Sequence, residues 1–93
     1  VLVIPKNETD SIFDLNDQEY QGLWQFAKKT AKAIEKTIPC KRVGIAVIGL
    51  EVPHAHIHLI PLQSVEDINF SKPKLKLDPD MMKGIAEKII SGF

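Results

Sequence analysis

One cysteine among 93 residues leaves Cys40 unable to close an internal disulfide, so a reducing, cytoplasmic setting is expected. No apolar run is long enough to span a bilayer or to serve as a signal peptide. Twelve basic residues balance twelve acidic ones, giving a formal net charge of zero, so no global field draws the chain to nucleic acid or to a membrane. Neither is expected as a partner. No internal repeat, low-complexity tract or interdomain linker is visible. The length allows one domain at most, and a chain this short buries a smaller share of its surface than a typical domain does. A partner subunit would help it.

Histidine is scarce as well, and all of it sits in one place: His54, His56 and His58 alternate within the stretch from Val52 to Pro61. Successive side chains of an extended strand point to opposite faces, so the three imidazoles are expected on one face and Ala55, Ile57 and Leu59 on the other. Proline has no N–H to give to a ladder, and Pro53 and Pro61 are expected to punctuate this strand at its two ends.

The remaining elements fall around that stretch. Val1 to Ile4 reads as a β-branched strand ended by Pro5, and Asn7 to Asp10 as a polar turn. Asn16 can cap a helix, with Glu19 three residues on to close a capping box and Leu15 placed to staple to Tyr20. Tyr20, Leu23, Trp24, Ala27, Ala31, Ile34 and Ile38 then recur on one helical face, and Pro39 ends the helix. Trp24 and Phe26 read as packing residues, and the lysines between them and Pro39 as a solvated face. Val43 to Ile48 is a continuous apolar run, expected to be a strand covered on both sides. The link from Gly49 to Pro53 is too short for a parallel crossover, so this strand and the histidine strand should form an antiparallel hairpin near the sheet centre. Lys72, Lys74 and Lys76 would share a face if extended. Asp78 and Pro79 start a second helix whose buried face is expected to be Met82, Ile85, Ala86 and Ile89.

Three alternating histidines admit three readings. A single buried imidazole is ordinarily a hydrogen-bonded structural residue, but each buried ring must find partners or cost about 1 to 3 kcal/mol, so packing gives no reason to stack three. A shared metal is disfavoured by reach. At a rise of about 3.3 Å per residue the His54 and His58 backbones stand roughly 13 Å apart, whereas zinc takes each nitrogen at about 2.0 to 2.1 Å. Cys40 and carboxylates would have to complete such a site. The third reading sets neighbouring rings, about 7 Å apart, against successive atoms of one extended phosphate substrate. Imidazole is a nucleophile and proton carrier near neutral pH. His56, flanked on both sides, is the natural nucleophile at phosphorus, with His54 and His58 orienting, donating protons or stabilising charge, without a metal or other cofactor.

The run from His54 to Ile60 alternates histidine with apolar residues and closes on two apolar residues, and in this it resembles the signature of the histidine triad (HIT) family. The run from Leu2 to Lys6 resembles that family's upstream strand. The resemblance implies an α+β fold, an antiparallel sheet with a long helix between strands and a C-terminal helix. It implies hydrolase or transferase activity on a nucleotide substrate at its α-phosphate, a nucleoside phosphoramidate or dinucleoside polyphosphate, through a nucleotidyl intermediate on His56 supported by His54 and His58. It also implies a homodimer built through the long helices and strands. Gly49 falls where the family often has glycine and is a candidate substrate contact, and so is Glu51, which stands where the family often has serine or threonine. A nucleotide-binding module of the same fold with little catalysis and a metal-binding protein are the alternative readings. Val1, where a methionine would open a chain, leads directly into an apolar run, so residues 1–93 are expected to be a single HIT-like domain, the C-terminal two thirds of a full one.

Overall fold

A computed structural model describes residues 1–50, 53–68 and 78–93. Its frame is a three-stranded antiparallel sheet of β1 (Leu2–Val3), β2 (Arg42–Ala46) and β3 (Ile57–Leu62) in the order β1-β3-β2. Helix α1 (Asp17–Thr37) connects β1 to β2, and α2 (Pro79–Ser91) packs against α1. The fold is α+β, with the histidine-bearing strand in the centre of the sheet.

α1 starts where the sequence says it should. The Asn16 side chain accepts from the Glu19 backbone N–H at 2.8 Å, satisfying one of the donors a helix N-terminus leaves unpaired. The return arm differs from a capping box: the Glu19 carboxylate accepts from the side-chain amide of Asn16 at 2.7 Å, not from its backbone. Leu23, Ala27, Thr30, Ala33 and Ile34 are buried, with Tyr20, Trp24, Ala31 and Ile38 partly so. The buried stripe meets Val3, Ala55, Ile57 and Leu59, so one face of the sheet is closed by α1.

The hairpin of β2 and β3 is antiparallel, with Ala46 opposite His58 and Gly44 opposite Ile60. β2 is shorter than expected and is not covered on both sides. It stops at Ala46, and at the edge of the described sheet it leaves Ile45 49 % exposed. Pro61 does not end the histidine strand; it lies inside β3 opposite Val43. The ladder explains how. Leu59 exchanges bonds with Val1, donating to its carbonyl at 2.8 Å and accepting from its nitrogen at 3.1 Å, so alternate residues of β3 turn their nitrogens towards β1. Two residues on, the Pro61 nitrogen points to that same flank, past the last pairing with β1, where no described residue asks for a donor.

α2 is capped by Asp78, which accepts from the Met81 N–H at 2.8 Å, with Pro79 in its first turn. Its buried face is narrower than its periodicity implies. Ile89 alone is buried, while Met82 is 59 % exposed and Ala86 and Ile85 are exposed with it. The reason is position: α2 meets α1 through its C-terminal end, where Gly92 closes on Ala33 and Thr37, and its first turns extend past that contact. The expected lysine stripe of Lys72, Lys74 and Lys76 lies outside the described residues.

Candidate active site

Alternation places the imidazoles as expected. Ala55, Ile57 and Leu59 are buried towards α1, and His54, His56 and His58 emerge half-buried on the opposite face of the sheet. The support is not one continuous strand, however. Only His58 belongs to the ladder, opposite Leu2 on one side and Ala46 on the other. His54 and His56 precede β3, and the loop after β1 holds their segment. The Ala55 N–H donates to the Thr9 carbonyl at 2.6 Å, and His54 Nε2 stands 3.0 Å from the Pro5 carbonyl oxygen. Pro5 and Thr9 are thus supports of the site that residue patterns did not reveal, because they act through backbone oxygens that every residue type carries.

These bonds fix which nitrogen carries hydrogen in the His54 and His56 rings. A carbonyl oxygen only accepts, so His54 Nε2 donates to Pro5 and the Nδ1 of that ring is left with its lone pair in the neutral form. His56 Nδ1 lies 2.7 Å from the carbonyl of His54 and must donate to it. The lone pair of neutral His56 is therefore on Nε2, at the far side of the ring from the backbone. The His58 ring meets that of His56 edge-on, with centroids 4.7 Å apart and planes at 70°. The pair so arranged presents one nucleophilic nitrogen beside a second titratable ring.

Gly49 and Glu51 fare differently. Gly49 sits in the turn after β2 with φ of 72°, a left-handed conformation that favours glycine, and the space where a Cβ would stand is open. The backbone turn accounts for this glycine. Glu51 lies outside the described residues. Among the described residues no group of three or more His, Cys, Asp or Glu side chains comes together in a way that could hold a metal ion. No described helix is long and apolar enough to cross a membrane.

The HIT domain model matches residues 1–65, a span that includes β1, α1, the hairpin and all three histidines. The chain belongs to the HIT domain family. Among its relatives is the asymmetrical bis(5'-nucleosyl)-tetraphosphatase of Schizosaccharomyces pombe, 31 % identical over 71 residues, a match that covers 71 % of this chain and 39 % of that protein. The adenosine 5'-monophosphoramidase hnt1 of the same yeast is 29 % identical over 93 residues, with 97 % of this chain and 69 % of that one covered. This HIT chain thus spans well under half of the first relative and about two thirds of the second. Among solved structures, a Hit-like protein of Bartonella henselae superposes with a TM-score of 0.81 at 21 % identity, over 99 % of this chain and 69 % of that one. That likeness shows the fold.

Proposed function

We propose that this HIT chain carries the reactive histidines of a nucleotide hydrolase or nucleotidyl transferase that acts at an α-phosphate. The substrate is a nucleoside phosphoramidate or a dinucleoside polyphosphate, the classes named for the two yeast relatives. One observation carries the reading: the Nδ1–H of His56 is committed to the His54 carbonyl at 2.7 Å, which leaves Nε2 as an oriented nucleophile.

In the proposed reaction His56 Nε2 attacks the α-phosphorus, a nitrogen–phosphorus bond forms, and the bond from phosphorus to the leaving nitrogen or oxygen breaks. The leaving group takes a proton from His58 in its imidazolium form, since the His54 N–H is held by the Pro5 carbonyl. The His56 ring gains positive charge as it is phosphorylated, and its Nδ1–H bond to the His54 carbonyl becomes charge-assisted and stronger at that moment. Stabilisation that grows with the reaction is what lowers a barrier. Water then attacks phosphorus and gives a proton back to the ring that protonated the leaving group, the nitrogen–phosphorus bond breaks, and the nucleoside monophosphate leaves with both rings restored.

The proposed assembly is a cytoplasmic homodimer. It is supported by β2, an edge strand among the described ones that presents open backbone groups beside exposed Ile45, Val47 and Ile48. Residues 1–93 act in it as one domain. Gly49 and Glu51 are proposed to lie at the phosphate side of the pocket. The test is to mix the purified protein with AMP-morpholidate or diadenosine tetraphosphate, quench, and read intact mass. An adduct of one AMP that is absent from His56→Ala supports the reading, while turnover at the original rate by His56→Ala refutes it. Tight AMP binding with no adduct and no turnover would replace it with a binding module.

A further inference from the structure

The chain is neutral as a whole, yet four of its twelve basic side chains line one groove. The groove has a volume of about 660 Å³ and is formed by Gln25, Lys28, Lys29, Lys32 and Lys36 of α1 together with Gly92 and Phe93 after α2. No Asp or Glu side chain lines it. Among the described residues one ion pair touches it, Lys32 to Glu35 at 4.0 Å with both ends exposed, a geometry that neutralises little. Lys36 Nζ donates to the Gly92 carbonyl at 3.4 Å, which joins the two helices at the groove's end. Phe93 stacks on Phe26 with ring centroids 6.0 Å apart and planes at 26°, and both rings are exposed, giving the groove an aromatic wall. α1 turns its opposite side to the sheet, and the histidines emerge beyond that sheet, so the groove and the triad are on opposite sides of the molecule.

From this arrangement we infer that the groove binds an extended acidic peptide segment of a partner protein. Lys28, Lys32 and Lys36 follow one another at one-turn spacing, about 6 Å apart at 1.5 Å per residue. Side chains on one face of an extended chain recur at about 6.6 Å. Aspartate or glutamate at every second position would therefore meet successive lysines, and an apolar residue beyond them would lie on Phe93. The donor chemistry separates this occupant from a nucleic acid strand. Phosphate backbones are gripped best by the bidentate fork of arginine, and the chain's single arginine, Arg42, is on β2 and not in the groove. The lysines are too exposed to enclose a small anion, since small-ligand pockets bury about 70–90 % of what they hold.

The experiment is fluorescence anisotropy of a labelled peptide of three glutamates alternating with glycine and ending in phenylalanine. It is titrated with the purified protein and competed separately by tripolyphosphate and by a single-stranded oligonucleotide of equal charge. Saturable binding is expected, weakening at least tenfold in the double variant Lys28→Glu/Lys32→Glu, while triad-dependent turnover stays as in the parent protein. The milder pair Lys28→Gln/Lys32→Gln keeps the test open if charge reversal disturbs folding, and an intermediate loss is expected from it. Absence of saturable peptide binding overturns the inference, and so does unchanged binding in the glutamine pair. Tighter binding of tripolyphosphate or oligonucleotide than of the peptide overturns it as well.

Discussion

His54 and Pro5 are joined across 49 positions of sequence by a 3.0 Å contact from the imidazole Nε2 to the backbone carbonyl. It fastens the segment that carries two of the three histidines to the loop that leaves β1. The His54 ring therefore acts as an anchor, and the His54 carbonyl acts as the hydrogen-bond acceptor for His56.

That division of labour separates two substitutions. His56→Ala removes the proposed nucleophile and should lower turnover by roughly three orders of magnitude or more, the scale seen when a covalent nucleophile is deleted. His54→Ala keeps the carbonyl that orients His56 but frees the segment, and a misplacement of about 1 Å costs on the order of 10²-fold. Adduct formation read by quenched-flow mass spectrometry should therefore survive, slowed, in His54→Ala and vanish in His56→Ala. Equal and complete loss in both would refute the anchoring role.

The cap of α1 is open to a direct stability test. Asn16→Ala deletes the acceptor for the Glu19 N–H and should cost about 1 kcal/mol. The urea midpoint should fall with the slope of the transition unchanged.

Leu59 is fully buried between the sheet and α1, so Leu59→Ala should cost about 2–5 kcal/mol in a denaturation measurement. Its side chain points away from the imidazoles, and turnover per folded molecule should be retained. Loss of activity without loss of stability would contradict the separation of the two faces.

Two glycines should respond unequally to the same change. A Cβ at Gly92 would stand 2.8 Å from the Ala33 carbonyl oxygen and 3.0 Å from the Ala33 Cα, backbone atoms that cannot turn aside. At Gly44 it would meet the Leu62 Cδ1 at 2.5 Å, the far end of a side chain that can rotate. Gly92→Ala should cost about 1–3 kcal/mol and loosen α2, the range for forced overpacking, and Gly44→Ala should cost less. Hydrogen exchange in α2 and thermal melts would compare them.

Much of this was legible in residue order. The cap at Asn16, the stripe from Tyr20 to Ile38 and the start of α2 at Asp78 follow from local chemistry that acts within one or two turns. The hairpin follows from the short link between Gly49 and Pro53, and the two faces of the histidine segment from strand periodicity. What was not legible depended on distant backbone. The Pro5 and Thr9 carbonyls leave no trace in side-chain type, so nothing in the run from Val52 to Pro61 shows that His54 and His56 are held outside the ladder. The exposure of Met82 and Ile85 depends on where α2 meets α1, which periodicity does not encode. Apolar content alone makes the run from Val43 to Ile48 look enclosed, although β2 is at the edge of the described sheet.

Pro61 has a consequence for what else the sheet can accept. A strand laid along β3 past the pairing with β1 would find no hydrogen to take at residue 61, since the ring replaces it. Strand addition at that point thus lacks one donor, whereas β2, at the edge of the described sheet, has no proline between Arg42 and Ala46. Among the described strands, the β3 flank beyond β1 is interrupted at Pro61, whereas β2 offers a ladder without interruption, so the two flanks of the histidine strand are not equivalent.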